Sequence, residues 1–319
     1  MRAFQVHELG QPPRLSHADR AQPGAGELEI KIETCGLNFG DLLMITGEYQ
    51  ERPPLPFTLG MEFAGTVVAH GPGVSTPAIG TRVAAFTGQG GLAEFAVVSA
   101  ERCTPIPDTM SSRDAAAFIV AYGTSHVALN HKAQLKPGET LLVLGAAGGV
   151  GLTAVELGKA MGAKVIACAR GDEKLAVAKA AGADHLFDSS TTDIRSAVKE
   201  LGGADVVYDP VGGDQFTSAL RSLKPEGRMI VVGFASGTVP PIPANLLLVK
   251  NISVIGYYWG GYLAFAPNVI SDSLTELFAM HADGKLTPHV SHCLPLAEAN
   301  DGFDLLRNRK STGKVIIEI

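Results

Sequence analysis

The chain has few cysteines for its length, and they are scattered. Four occur in 319 residues, Cys35, Cys103, Cys168 and Cys293, and no two form a Cys-x-x-Cys pair. A chain of this size buries a core without disulfide bonds, so the spacing predicts reduced thiols in a cytoplasmic protein. The nine histidines are also scattered, without a His-x-x-x-His pair. This distribution predicts that no metal ion is bound.

Clusters of positive charge and long apolar runs are missing as well. Lysine and arginine number 26 against 32 acidic residues, which gives a net charge of −6. This balance argues against a nucleic-acid partner, since phosphate contacts rely on clustered Lys and Arg. The first residues, MRAFQVHELG, have no apolar core of signal-peptide length. Lys250 and Asn251 interrupt the longest apolar tract, so no membrane association is expected.

The pattern of the chain changes after about residue 120. Before it, short alternating stretches such as ELEIKIETCGLN and MEFAGTVVAHG are typical of strands, and Gly and Pro punctuate them. After about residue 138, buried strands alternate with helical segments of about a dozen residues, which predicts βαβ units around a parallel sheet. Two domains are expected, a β-rich one of residues 1–122 and 262–319 and a parallel-sheet one of residues 123–261.

A glycine-rich turn, Gly145 to Gly151, joins the first of these buried strands to its helix. Against the G-x-G-x-x-G pattern, Gly148 and Gly151 take the second and third places. Gly148 would let the backbone approach a pyrophosphate, and Gly151 would let the helix pack on the strand. The helix N-terminus supplies N–H groups and partial positive charge. The turn therefore predicts a dinucleotide site, although a turn without a ligand is the structural alternative. The expected contacts are Ala147, Gly148, Gly149 and Val150.

The end of the second strand of this domain indicates which dinucleotide binds. An NAD site places Asp or Glu there to accept a hydrogen bond from the ribose 2′-hydroxyl. This sequence has Arg170, with Lys174 one helical turn further on. Cations suit a 2′-phosphate and cannot accept a hydrogen bond, so NADPH is predicted in preference to NADH. Asp172 would reach the ribose unless, as expected, it caps the next helix.

Several segments resemble a known superfamily. The β-rich first lobe, the A-A-G-G-V-G turn and the closing STGKVIIEI resemble the medium-chain dehydrogenase/reductase superfamily. GLNFGDLLMITGEY, LPFTLGMEFAGTV, AYGTSHVAL and LLLVKNISVIGYYWG resemble its zinc-free quinone oxidoreductase branch, which includes zeta-crystallin. The resemblance covers essentially the whole chain. It implies an α/β fold with a β-rich GroES-like catalytic domain and a Rossmann domain of doubly wound parallel sheet.

The resemblance also bears on zinc and on the reaction. Where the superfamily's alcohol dehydrogenases have a zinc-binding Cys and His, this chain has Asn38 and Met61. An amide and a thioether do not replace a thiolate and an imidazole on Zn²⁺. Without a Lewis acid, a quinone or an activated C=C is the easier acceptor, because its negative charge delocalises into a phenolate or enolate. The predicted activity is NADPH-dependent hydride transfer to quinones or small α,β-unsaturated carbonyl compounds.

Candidate catalytic residues lie in the first lobe. Tyr49 resembles the Tyr that related enoyl-thioester reductases place over the substrate, and Asn38, by resemblance, contacts the nicotinamide ribose or the substrate. A packing residue and a turn amide are the structural alternatives for these two. Asp41 is expected to cap the following segment. Thr124 is expected near the nicotinamide, or else as a helix cap. Strand-ending turns supply the remaining expected cofactor contacts, Val211, Gly233, Phe234 and Ser236.

Two further functions stay open at this stage. A 2-enoyl-thioester reductase acting on a short acyl-CoA suits Tyr49 and the ERPP that follows it. A non-catalytic NADPH-binding protein would keep the Gly148 turn with a blocked nicotinamide pocket. The chain is expected to bind a small-molecule substrate and to pair with a second copy of itself. The strand predicted within residues 252–258 is an exposed sheet edge, and the resemblance implies a homodimer built on it.

Overall fold

The computed structural model describes all 319 residues, which divide into two compact units. Unit 1 comprises Met1–Val120 and Pro288–Ile319, and unit 2 comprises Ala121–Thr287. Unit 1 is rich in antiparallel strands, and unit 2 alternates strands and helices around a parallel sheet. The predicted α/β class, with a β-rich unit and a parallel-sheet unit, is confirmed.

Sixteen strands form three sheets. In chain order they are β1 (Arg2–Val6), β2 (Arg14–His17), β3 (Glu27–Gly36), β4 (Phe57–Thr58), β5 (Glu62–His70), β6 (Arg82–Phe86), β7 (Phe95–Ser99), β8 (Cys103–Pro105), β9 (Thr140–Leu144), β10 (Lys164–Ala169), β11 (His185–Asp188), β12 (Ala204–Asp209), β13 (Leu223–Val231), β14 (Ser253–Gly256), β15 (Val290–Pro295) and β16 (Lys314–Glu318).

Eleven α-helices connect and cover these strands. They are α1 (Phe39–Thr46), α2 (Ser112–Ala116), α3 (Ile119–His126), α4 (Gly149–Ala160), α5 (Asp172–Ala180), α6 (Ile194–Glu200), α7 (Gly213–Ser222), α8 (Ala244–Lys250), α9 (Tyr262–Phe265), α10 (Pro267–Ala282) and α11 (Ala299–Arg307). A π-helical segment, Val127–Lys132, continues α3. None of the helices is long and apolar enough to cross a membrane.

The sheet of unit 2 has six strands, and all its neighbouring strands are parallel. Its order is β11-β10-β9-β12-β13-β14, the Rossmann arrangement that runs outward in both directions from the first strand. All five residues of β9 are buried, as expected for a strand covered on both faces. The strand order reverses between β9 and β12, and ligands of open α/β sheets bind outside the carboxyl ends of the strands at such a point.

Unit 1 is organised around the long strand β3. Its main sheet has the order β15-β16-β3-β5-β6-β8, with β7 also pairing β3, and a smaller sheet has the order β2-β1-β4. The register pairs Gly36, the last residue of β3, with Glu62 on β5 and with Ile316 on β16. The beginnings of β5 and β16 therefore lie beside the end of β3, although they are distant in sequence.

The domain boundaries differ from those predicted. The first lies after Val120 instead of residue 122, and the second lies after Thr287 instead of residue 261. Residues 262–287 belong to unit 2. The Ser273 hydroxyl on α10 lies 2.8 Å from Nδ1 of His126, which is part of the same unit. The backbone N–H of Thr287 also donates to the Glu156 carboxylate at 2.7 Å. These contacts join positions more than a hundred residues apart, which the alternation of strands and helices does not reveal.

Candidate functional site

The glycine-rich turn lies at the carboxyl end of β9, at the switch point of the sheet. Gly145 has a φ of +58°, and Gly148 is the N-cap of α4. A Cβ atom on Gly151 would lie 2.1 Å from the carbonyl oxygen of Gly145, closer than real Cβ contacts come. Only a glycine at position 151 therefore allows the helix to approach the turn this closely.

The opposite side of the same turn is open. A Cβ atom on Gly148 would meet only the Gly145 carbonyl oxygen, at 3.4 Å, which is an ordinary contact. Gly148 is exposed, Gly149 and Val150 are half-buried, and Ala147 is buried. The first N–H groups of a helix have no partners within the helix, and they carry its positive dipole end. The turn thus offers donors, positive potential and space, which together can hold a phosphate group.

The two predicted cations lie at the end of the neighbouring strand. Arg170 is exposed and directly follows β10, and Lys174 is half-buried in the first turns of α5. Asp172 is not the cap that the sequence predicted, because Gly171, at φ +79°, occupies that position and makes Asp172 the first helical residue. A nucleotide in the turn would meet these cations at its adenosine end, since that end lies over the second strand of a Rossmann fold.

An acidic side chain also lies close to Arg170. Asp188, at the end of β11, accepts hydrogen bonds from the Ser190 hydroxyl at 2.6 Å and from the Gly171 N–H at 3.2 Å. The Ser190 hydrogen bonds, with a smaller contribution from the Arg170 charge, hold the pKa of Asp188 below its ordinary value. Both carboxylate oxygens of Asp188 are thus engaged by neighbouring loop residues.

The turns that follow β12 and β13 are joined to each other. The Ser236 N–H donates to the Val211 carbonyl at 2.9 Å, and the Ala235 N–H donates to the Pro210 carbonyl at 3.0 Å. Gly233 and Phe234, the latter 37% exposed, lie in the same turn. The structure therefore brings together Val211, Gly233, Phe234 and Ser236 at the carboxyl ends of the strands.

Thr124 lies inside α3 and not at a helix cap. It is buried, and its carbonyl oxygen accepts a hydrogen bond from the Tyr257 hydroxyl at 3.0 Å. The neighbouring Gly123 packs against Trp259, whose ring would lie 2.9 Å from a Cβ atom on that glycine. The segment that carries Thr124 is therefore held by aromatic residues that follow β14.

Asn38 follows β3 in unit 1, and its side chain belongs to a buried charged cluster. Nζ of Lys314 donates to Asn38 Oδ1 at 2.8 Å, to Glu62 Oε1 at 2.7 Å and to the Leu37 carbonyl at 2.8 Å. Nδ2 of Asn38 donates to Glu62 Oε1 at 2.9 Å and to the Gly36 carbonyl at 3.2 Å. Both amide hydrogens are thereby used, so Asn38 can offer a ligand only the second lone pair of Oδ1.

Sequence reasoning assigned no role to Lys314 or Glu62. Lys314 is 4% exposed and Glu62 is 1% exposed, and charged side chains are seldom buried so completely unless they are paired. Their contact joins positions 252 apart in the chain. The one available signal was a charged residue at the start of an otherwise apolar strand, in MEFAGTV and in GKVIIEI.

Asp41 is the third residue of α1 and takes part in its capping through the backbone N–H of Asn38, although the N-cap itself is Asn38 and not Asp41 as the sequence predicted. It is fully buried, and its carboxylate accepts hydrogen bonds from the N–H groups of Asn38 at 2.9 Å and of Gly60 at 3.1 Å. Burial raises the pKa of Asp41 to about 6, because these two donors and the Lys314 charge offset only part of the desolvation. The carboxylate therefore holds the loop before β5 against the first turn of α1.

We expect Asp41 to titrate near pH 6. Its folded pKa lies above the ordinary value of 3.8, so the stability it contributes is complete below pH 3.8 and is lost as the pH rises through 6. The loss corresponds to about 3 kcal/mol. The carboxyl carbon-13 resonance of Asp41, identified by its absence in Asp41→Asn, reports the midpoint directly. A midpoint at or below pH 4 would contradict the desolvation argument.

Tyr49 lies in the bend after α1 and is half-buried. A Cβ atom on Gly40 would lie 3.2 Å from Cε2 of Tyr49 and 2.8 Å from Cε of Met61. The phenol ring and the thioether thus both pack against the bare backbone of Gly40. Tyr49 and Asn38 share unit 1, and α1 lies between them in the chain.

The residues at the predicted zinc-ligand positions do not fit a metal ion. The Lys314 ammonium lies 2.8 Å from Asn38 Oδ1 and would repel a divalent cation there. The Met61 thioether is buried against Gly40, and burial raises the pKa of the nearby Cys35 thiol, which keeps it protonated. No three His, Cys, Asp or Glu side chains are grouped so that they could hold a metal ion.

Two family models match the chain. The model described as alcohol dehydrogenase GroES-like domain matches residues 24–108, and the model described as zinc-binding dehydrogenase matches residues 149–278. Quinone oxidoreductase-like protein 2 of Bos taurus is 43% identical over 322 residues, which cover 100% of this chain and 92% of that protein.

Solved structures agree with these matches. The quinone oxidoreductase of Escherichia coli, in complex with NADPH, has a TM-score of 0.93 and 29% identity, and the match covers 100% of each chain. The quinone oxidoreductase of Thermus thermophilus, also studied in complex with NADPH, has a TM-score of 0.87 and 34% identity over the same extent. The chain belongs to the quinone oxidoreductase branch of the medium-chain dehydrogenase/reductase superfamily.

Proposed function

We propose that the chain is an NADPH-dependent oxidoreductase that reduces quinones or small α,β-unsaturated carbonyl compounds without zinc. The observation that carries the proposal is the turn at Gly148, where an open helix N-terminus adjoins a strand that ends in Arg170. The NADPH complexes of the Escherichia coli and Thermus thermophilus relatives support the choice of cofactor.

Different residues of the chain bind the cofactor and the substrate. The first turn of α4 binds the pyrophosphate, and Arg170 with Lys174 binds the 2′-phosphate. The cofactor, when bound, supplies a hydride. Tyr49 supplies a hydroxyl that donates to the substrate carbonyl, whereas Asn38 accepts from a hydroxyl, since both of its own amide hydrogens are engaged. Acceptors that spread charge over conjugated bonds need little further stabilisation, which favours quinones and enones.

An assay of NADPH oxidation by the purified protein tests this function. We expect turnover with a quinone or with a small enone. Turnover with crotonyl-CoA alone would instead support the enoyl-thioester alternative, which requires a pocket that admits the phosphopantetheine arm. Tight NADPH binding without turnover on any electron-poor alkene would support a non-catalytic protein. Failure to bind NADPH would remove all three proposals.

Replacing Arg170 with glutamine is expected to reduce the preference for NADPH. The variant loses charge-assisted hydrogen bonds to the 2′-phosphate, so the Kd for NADPH should rise about tenfold or more, while the Kd for NADH stays within about twofold. Lys164→Gln is the matched control, because Lys164 is an exposed cation at the opposite end of β10. Equal loss of affinity for both dinucleotides, or no loss for either, would show that Arg170 does not contact the phosphate.

We infer further that the protein forms a homodimer through residues 252–258. β14 is the outermost strand of its sheet, and an outer strand offers unpaired backbone groups to a second chain. On α8, which leads into β14, Leu248 and Val249 are 76% and 68% exposed, and exposed apolar patches mark interfaces.

Light scattering on the wild type should therefore give twice the chain mass of 33.3 kDa. We expect Leu248→Glu to shift the protein toward monomer, because a carboxylate in an apolar interface is costly to desolvate. Leu201→Glu, at another exposed leucine of unit 2, should leave the mass unchanged. A wild-type monomer at micromolar concentration would contradict the inference.

A further inference from the structure

Three buried hydroxyl groups meet behind the nucleotide turn of unit 2. The Ser125 hydroxyl lies 2.8 Å from that of Thr153 and 2.9 Å from that of Tyr208. Ser125 and Tyr208 have no exposed surface, and Thr153 is 6% exposed. We call Ser125, Thr153 and Tyr208 the hydroxyl cluster. None of the three has a role of its own in the proposed hydride transfer.

The hydroxyl cluster holds a backbone carbonyl at the beginning of α4. Ser125 donates to the Val150 carbonyl at 2.8 Å, and Thr153 lies within hydrogen-bond reach of the same oxygen, at 3.1 Å, and of the Ala121 carbonyl, at 3.0 Å. A hydroxyl has one hydrogen and two acceptor sites, so Ser125 can donate to Val150 while it accepts from Tyr208. Each hydroxyl hydrogen of the cluster then has an acceptor within the protein.

Holding this carbonyl also fixes a donor that faces the turn. The C=O of Val150 and the N–H of Gly151 belong to one planar peptide unit, so they point in opposite directions along the helix axis. Val150 lies in the first turn of α4, where N–H groups have no partner within the helix. A carbonyl pinned from behind by Ser125 therefore sets the direction in which the Gly151 N–H points.

The cluster also joins the three segments that carry the cofactor contacts. Ser125 adjoins Thr124 on α3, Thr153 lies on α4 one turn after Val150, and Tyr208 adjoins Asp209 at the end of β12. The Asp209 carboxylate in turn accepts the N–H groups of Val211 and Gly212 at 2.7 and 2.9 Å. A substitution of Ser125 is therefore expected to shift the pyrophosphate turn and the two segments beside it, because Ser125 is hydrogen-bonded to Val150, Thr153 and Tyr208.

We propose that Ser125, at the centre of the hydroxyl cluster, is a positioning residue for the pyrophosphate and nicotinamide half of NADPH. The proposal rests on the proposed function, since it assumes that the turn binds NADPH. Ser125 does not touch the cofactor and acts through the Val150–Gly151 peptide. The adenosine end, which meets Arg170, lies outside the reach of the cluster.

The experiment compares two ligands on the full-length protein. NADPH uses both halves of the site, whereas adenosine 2′-monophosphate has no pyrophosphate and uses only the adenosine end. Calorimetry should give a Kd for NADPH that rises about tenfold in Ser125→Ala, the effect of leaving buried hydrogen-bond partners unsatisfied. The Kd for adenosine 2′-monophosphate should stay within about twofold of the wild-type value, because the adenosine contacts are untouched.

Two further variants separate positioning from general stability. Tyr208→Phe removes one hydroxyl and keeps the ring, and its Kd for NADPH should rise about threefold, the loss of one neutral hydrogen bond. Ser222→Ala is the matched control, because Ser222 is a buried serine of unit 2 that donates to the Ala219 carbonyl at 2.7 Å, away from the turn. It should lower the melting temperature and leave both dissociation constants unchanged.

The results separate a failure of the positioning role from a failure of the proposed function. A Ser125→Ala variant that binds NADPH as the wild type does, or that loses both ligands equally, overturns the positioning role while the proposed function stands. If Ser125→Ala does not fold, Tyr208→Phe decides by the same comparison of ligands. A wild-type protein that does not bind NADPH removes the proposed function and this proposal together.

Discussion

Replacing Gly151 with alanine is expected to abolish NADPH binding and to destabilise unit 2. The new Cβ atom would lie 2.1 Å from the oxygen, and 2.8 Å from the carbon, of the Gly145 carbonyl group, and 3.1 Å from Cα of Ala146. All three are backbone atoms, so no side chain can rotate away. The turn and the helix must separate, at a cost of about 3 kcal/mol or more, which is typical of severe overpacking. The displaced N–H groups would no longer converge on a phosphate, and affinity should fall about 100-fold.

Gly148→Ala is the matched control for this prediction. Its Cβ atom would meet only the Gly145 carbonyl oxygen, at 3.4 Å, and the backbone of Gly148 has a φ of −80°, which alanine adopts readily. The variant should therefore fold as stably as the wild type, yet its methyl group occupies the open side of the turn and should weaken NADPH binding. Urea unfolding and calorimetric titration measure the two effects. A Gly151→Ala protein of wild-type stability would contradict the close approach of helix and turn.

Lys314→Met is expected to destabilise unit 1 by about 3–5 kcal/mol, the cost of leaving a buried charge without its partner. The ammonium group makes three hydrogen bonds, and its removal leaves the Glu62 carboxylate, 1% exposed, with the Val120 N–H at 2.8 Å and Asn38 Nδ2 at 2.9 Å. Asn38 loses the donor that orients its Oδ1. The amide is then held only through Nδ2, by Glu62 and Gly36, so Oδ1 is less well fixed and catalytic efficiency should fall beyond what the loss of stability explains.

A second substitution separates these causes. In Lys314→Met with Glu62→Gln, the unpaired charge is gone, and most of the lost stability should return, because an uncharged amide is far less costly to bury. Lys285→Met is the surface control, since Lys285 and Asp283 form a pair with side chains 59% and 61% exposed, and such pairs contribute at most about 1 kcal/mol. Urea unfolding of the wild type and the three variants measures the differences. A single Lys314→Met variant as stable as the control would show that the buried cluster is not the pairing described.

Local sequence signals predicted most of unit 2. The strand–turn–helix around Gly148 and the cation after β10 lie in one continuous stretch, and the alternation of strands and helices is visible in each successive segment. The sequence analysis assigned no helix to α8, because its consecutive apolar residues, including the exposed Leu248 and Val249, lack the spacing of three to four positions typical of a surface helix. The cap assigned to Asp172 was wrong by one residue, since Gly171 takes the positive φ that the turn requires.

The sequence alone determined the fold class, the nucleotide turn and the family, because each depends on short segments whose glycines, apolar periodicity and charges act locally. The tertiary structure alone decided which polar groups are satisfied inside the protein. Strand pairing places Lys314 beside Glu62 and Asn38, so the amide hydrogens of Asn38 are engaged inside the protein and only its Oδ1 can bind a ligand. The order of the parallel sheet likewise brings Tyr208 to Ser125 across 83 positions. Such contacts depend on register and strand order between distant segments, and no local pattern of residues encodes them.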